Sequence, residues 1–85
     1  MATASTEILR AARTMLGMQQ KQMAKLAGIS TPTLHKIESG NKRIAIEYVE
    51  RLQAALEKAG IEFLGEGDVS GEGLRWRAKP HRPIT

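Results

Sequence analysis

Cysteine is absent from this 85-residue chain. Neither a disulfide framework nor a thiolate metal site is open to it, and a reducing compartment suits it. Aromatic residues are almost absent as well. Tyr48, Phe63 and Trp76 are the only ones, so a core has to be built from aliphatic side chains. No stretch approaches the roughly 18 consecutive apolar residues that cross a bilayer, and residues 1–10 carry no apolar run of the kind found in a secretory signal. A cytoplasmic protein without membrane contact is expected. The three prolines, Pro32, Pro80 and Pro83, leave the apolar stretches before residue 31 and between residues 45 and 59 uninterrupted.

Length sets a further bound, because domains commonly reach about 100 residues or more. One small domain is expected, burying only about 60 to 65% of the surface its unfolded chain exposes, and dimerisation would supplement so thin a core.

What is present is charge, unevenly placed. Residues 1–43 hold seven bases (Arg10, Arg13, Lys21, Lys25, Lys36, Lys42, Arg43) against Glu7 and Glu38, a net of +5. Residues 44–73 hold seven acids against Arg51 and Lys58, a net of −5, and the remaining residues add four bases. The first block and the tail suit a polyanion, while the middle suits solvent or another protein.

Apolar periodicity predicts four helices. Ile8, Leu9, Ala12, Met15 and Leu16 recur at helical spacing between Ser5 or Thr6 and Gly17. Met23, Ala24, Leu26 and Ala27 make a two-turn helix from Gln19 or Gln20 to Gly28. A third starts at Ser30-Thr31-Pro32-Thr33, where the first turn needs no N–H from proline and Ser30 or Thr31 serves as cap. It places Leu34 and Ile37 inward and stops at Gly40. A fourth runs from about Ala45 to Ala59, with Ile46, Val49, Leu52 and Leu56 inward. Beyond Gly60 the period changes: Ile61–Leu64 and Leu74–Arg77 read as short strands around a Gly-rich, acidic stretch, pairing either within one chain or across a dimer. Trp76 is expected on a strand face covering the fourth helix, the alternative being an anchor for a partner.

Helices two and three, joined through Ala27-Gly28-Ile29-Ser30, have the layout of a helix-turn-helix. Ala24 suits a close helix crossing, Gly28 a left-handed turn residue, and Ile29 a plug between helices. The segment from Leu16 to Ser30, with Leu34, Ile37-Glu38-Ser39-Gly40 and Asn41, resembles the Cro and phage-repressor (XRE) family over roughly residues 8–57. Its marks are Gln20, Ala24, Gly28, Ile29, Glu38 and Gly40. The fold expected is therefore mainly α, a four-helix Cro/repressor-like domain followed by two strands and a basic tail. Residues 1–60 would form the DNA-binding domain, 61–77 a strand pair supporting a dimer, and 78–85 the tail.

Helical geometry turns Pro32, His35 and Lys36 outward, with Thr31 and Thr33 on the flanks. Thr31, Pro32 and Lys36 match the family's base-contacting positions, and Lys36 suits guanine O6 and N7. The bland reading of Lys36 is a phosphate contact or a solvated charge. His35 sits at the edge of this face, where it reaches only backbone, and Ser30 opens the helix. Phosphate contacts are expected from Gln20, at the free N–H groups opening helix two, and from Asn41, Lys42 and Arg43 beyond helix three, where the family also contacts backbone. Asn41 equally suits simple turn formation. The resemblance also implies an ion pair between Arg13 and Glu38. One departure is that Ile44-Ala45-Ile46 enters helix four directly, where the family often has proline.

Acid, base and nucleophile candidates (His35, His81, Ser5, Ser30, Ser39, Ser70) form no constellation, so no enzyme, metal or cofactor is expected. The function expected is sequence-specific transcriptional regulation, as a repressor, by a homodimer on double-stranded DNA with an inverted repeat. The alternative is an antitoxin that binds its own operator and neutralises a protein toxin; a toxin or co-regulator is the protein partner to consider.

Overall fold

A computed structural model of the chain describes residues 4–65 and 71–77; the expected basic tail lies outside them. Four helices are followed by two strands: α1 (Thr6–Met15), α2 (Gln20–Ala27), α3 (Thr31–Glu38), α4 (Ile46–Lys58), β1 (Ile61–Leu64) and β2 (Gly73–Trp76).

The local chemistry explains the helix ends. Ser5 occupies the cap position of α1 but makes no side-chain capping bond. Its own N–H donates to Glu72 at 3.1 Å, and the Ala4 N–H donates to Gln53 Oε1 at 2.8 Å, so long-range acceptors tie this end down. At the start of α2, Gln22 Oε1 accepts from the Gln19 N–H at 3.0 Å. Its far end is a Schellman closure: Ile29 N–H to Ala24 O at 3.0 Å and Gly28 N–H to Lys25 O at 3.3 Å. Gly28 takes φ +71° there, a conformation that costs an L side chain about 1 to 2 kcal/mol. Two residues later Ser30 Oγ accepts from the Thr33 N–H at 3.1 Å and donates to Thr33 Oγ1 at 2.7 Å, starting α3 with Pro32 in its first turn.

The core is aliphatic, as the composition requires. Leu9, Ala12, Met23, Ala24, Leu34, Ile37, Leu52, Leu56 and Ile61 are buried together, and each fully buried Leu or Ile contributes about 1.5 to 3 kcal/mol. Val49 packs against this cluster, but Ile46 does not join it. Ile46, expected inward, is 59% exposed. It is the first residue of α4 and lies at the shoulder of the stripe formed by Val49, Leu52, Gln53 and Leu56. Gln53 takes an inward place instead, buried because its amide oxygen is matched by the Ala4 N–H.

The strands pair with each other inside the chain, antiparallel, with Ile61 opposite Trp76, Glu62 opposite Arg75, Phe63 opposite Leu74 and Leu64 opposite Gly73. The second strand begins and ends one residue earlier than the apolar run suggests, and just past its end the Arg77 N–H donates to Gly60 O at 2.7 Å, continuing the ladder by one bond. Alternation puts Ile61, Phe63, Leu74 and Trp76 on one face, where Ile61 is buried and Phe63 and Leu74 pack against the core. Trp76 lies beside Gly60, just past the end of α4, and remains 46% exposed. On the other face Arg75 Nε and Glu62 Oε1 are 2.7 Å apart. This pairing holds the Glu62 carboxyl below its ordinary value and the Arg75 guanidinium above its own, chiefly through the hydrogen bond. Among the described residues no helix is long and apolar enough to cross a membrane.

Candidate nucleic-acid interface

The burial of α3 decides which of its side chains are available. Leu34, Ile37 and Glu38 are buried, while Pro32, His35, Lys36 and Ser39 are exposed and Thr31 and Thr33 lie half-buried at the margins. At about 100° per residue, Pro32, Lys36 and Ser39 line the outermost ridge, with Thr31 and His35 along one shoulder and Thr33 on the other. This is a polar strip one helix wide, the size and chemistry that fit a DNA major groove.

Behind that strip α3 is clamped to the scaffold. Arg13, in the last turn of α1, donates through Nε to Glu38 Oε2 at 2.7 Å and through Nη2 to Glu38 Oε1 at 2.9 Å; its Nη1 reaches Met18 O at 2.8 Å. Gln20 adds a third donor, Nε2 to Glu38 Oε1 at 3.0 Å. Glu38 is only 4% exposed, and three donors with one matching charge are what a carboxylate needs at that depth. One buried side chain thus ties together the end of α1, the start of α2 and the end of α3.

The resemblance pointed to the Arg13–Glu38 pair, and the structure contains it. The bond from Gln20 was not anticipated: nothing in the spacing of residues 20 and 38 signals it, because it depends on how α2 crosses α3. Gln20 therefore has a structural partner as well as a half-buried position at a helix start. Its second amide hydrogen and the N–H groups of the first turn of α2 remain without intrahelical acceptors.

The turn after α3 is also ordered by its own atoms. Asn41 N–H donates to Lys36 O at 3.0 Å and Gly40 N–H to Ile37 O at 3.0 Å, while the Asn41 side-chain oxygen accepts from the Arg43 N–H at 2.8 Å. The turn-forming role of Asn41 is present, leaving its side-chain NH2 free of protein acceptors among the described residues. Lys42 and Arg43 are exposed and in no ion pair among those residues. Ser30 is engaged in capping: its hydroxyl accepts from the Thr33 N–H and donates to Thr33 Oγ1. Ser39 Oγ donates to Lys36 O at 3.0 Å. Among the described residues no group of His, Asp or Glu is arranged to hold a metal ion.

A search of the curated proteins gives no match for this chain. Residues 9–63, running from α1 through β1, match the family model described as a helix-turn-helix. With two short helices joined at Gly28, a polar outward strip on the second, and that match over more than half its length, the chain belongs to the Cro and phage-repressor (XRE) type of helix-turn-helix, the DNA-binding transcription regulators.

Proposed function

We propose that this regulator is a cytoplasmic homodimeric repressor that inserts α3 of each subunit into successive major grooves of an inverted-repeat operator. The observation that carries the reading is the exposed strip of α3, with Lys36 central on it and the cations Lys42 and Arg43 in the turn that follows. Thr31, Pro32 and Lys36 meet base edges; His35 touches backbone; Gln20, Asn41, Lys42 and Arg43 meet phosphates; Ser30 and Thr33 present the first turn. Residues 1–60 read the DNA, and residues 61–77 support the dimer. A bound dimer represses by excluding polymerase from the same duplex. Selection of bound duplexes from a random pool at fixed salt tests this, with sedimentation on the selected site. An inverted repeat with half-sites about 34 Å apart and two chains per site is expected; recovery of unenriched sequence overturns it.

A second reading adds a protein partner. The half-exposed Trp76 at the end of the sheet suits an anchor for the toxin of an antitoxin, which would bind its operator by the same strip. Co-purification from the native host separates the two.

A further inference from the structure

The last turn of α1 carries Arg13, whose guanidinium holds Glu38 at the end of α3. The opposite end of α1 is held by acceptors that lie far along the chain. Ser5 sits in the cap position with its side chain unused for capping. The two backbone N–H groups that enter the helix are taken up elsewhere: Ala4 N–H by Gln53 Oε1 at 2.8 Å and Ser5 N–H by Glu72 Oε2 at 3.1 Å. Gln53 belongs to α4 and is buried. Glu72 is exposed and directly precedes β2, whose first residue, Gly73, pairs with Leu64. Strand pairing therefore sets where that carboxylate stands. Between its ends α1 buries only Leu9 and Ala12. Those two side chains fix which face turns inward, and the ties at the ends fix the tilt.

We infer that Glu72 is a positioning residue for DNA reading: with Gln53 it fixes the N-terminal end of α1, and α1 passes that constraint to α3 through Arg13 and Glu38. The inference rests on the reading of α3 as the base-contacting helix, and it gives the strand pair a part in that reading beyond support of a dimer. A helix of ten residues, about 15 Å long, moves as one body. Freeing its first turn lets the Arg13 end tilt, and α3 tilts with it. Base-edge contacts depend on that alignment, because a hydrogen bond weakens steeply outside a narrow range of distance and angle. Phosphate contacts by exposed cations such as Lys42 and Arg43 tolerate it, since attraction between charges falls gently with distance. Loss of Glu72 therefore lowers discrimination between sequences and leaves the non-specific grip in place. A general loss of stability would lower binding to all duplexes alike.

The test uses the full chain and two duplexes, one selected from a random pool and one of scrambled sequence, at fixed salt. In Glu72→Ala the ratio of the two affinities falls roughly fivefold per bound subunit, the scale that one such hydrogen bond supplies. Glu72→Gln keeps an acceptor oxygen at the same reach and holds the wild-type ratio. Glu62→Ala removes the same charge from the same sheet, where the partner is Arg75 rather than α1, and it also holds the ratio. Glu72 is exposed, so its variants stay folded at the temperature of the measurement, which melting curves check first. A wild-type ratio in Glu72→Ala overturns the positioning role while leaving the DNA-binding reading intact, as does an equal loss of affinity for both duplexes. An equal fall of the ratio in Glu62→Ala or Glu72→Gln overturns it too, because charge alone would then account for the effect. A wild-type chain that favours neither duplex overturns the reading on which the inference rests.

Discussion

Arg13 and Glu38 stand 25 positions apart in the chain and meet through two hydrogen bonds of 2.7 and 2.9 Å, so the last turn of α1 holds the last residue of α3. The pair is deep: the Glu38 side chain is 3% exposed and that of Arg13 17%. Removing Arg13 strands a buried carboxylate, and removing Glu38 strands a guanidinium and the Gln20 amide. Either Arg13→Ala or Glu38→Ala is expected to cost about 3 kcal/mol in urea denaturation, with the double variant losing clearly less than the two combined. Small, additive losses would show two solvated charges instead.

The ion pair on the sheet behaves differently because it is open to solvent. Since Glu62 titrates below its ordinary value of 4.5 in the folded chain, its contribution is present above that value and fades as pH falls through the lowered one. Relative to Glu62→Gln, the wild type should therefore have the higher melting temperature at neutral pH and lose the advantage in acid. High salt should shrink the difference at neutral pH. A difference that grows on acidification would contradict the direction of the shift.

At Gly28 a methyl group would meet nothing within 4 Å, so any penalty comes from the backbone at φ +71°. Gly28→Ala should destabilise by roughly 1 to 2 kcal/mol without moving α3. The folded variant is expected to keep its DNA sequence preference. Thermal melts and a selection experiment on the same variant check both halves.

Reading and gripping should separate between Lys36 and Arg43. Lys36→Ala is expected to relax preference at one position of each half-site, a loss of about 1 to 3 kcal/mol of discrimination. Arg43→Ala should weaken binding to every duplex alike and flatten the salt slope by about two for a dimer. The reverse pattern would mean that the turn from Gly40 to Arg43 does the reading.

The dimer has to be sought with the strand pairing in mind. Ile61–Leu64 lacks no partner strand, because Gly73–Trp76 of the same chain supplies it. Phe63 packs against the core, so Phe63→Asp would unfold the sheet before it could report on association. Exposed Ile46 is the better probe: Ile46→Lys, measured by sedimentation, should leave the fold intact, and loss of the dimer would place the interface at the start of α4.

The order and kind of the elements were legible in the residues, because the signals are local. Ser30 caps the helix it precedes, Gly28 ends the one before it, and the spacing of Leu34 with Ile37 sets which face of α3 is buried. Such effects act within about one helical turn, whatever the rest of the chain does. The two short strands were legible for the same reason, but not which chain supplied the partner edge, since pairing across the eight residues between them is a long-range choice. The tertiary structure decided that, and it decided what local pattern cannot express. Gln20 is bound to Glu38 because α2 crosses α3 at that point. Ile46 is exposed although its spacing to Val49 looks inward, because it lies on the shoulder of the buried stripe of α4 and stays outside the core cluster. Gln53 is buried because the N–H of Ala4 happens to reach it. Glu72 meets the Ser5 N–H only when the paired strands lie beside the start of α1. Each of these depends on distances between segments far apart in the chain, which the packing of the whole core sets and no single stretch of residues contains.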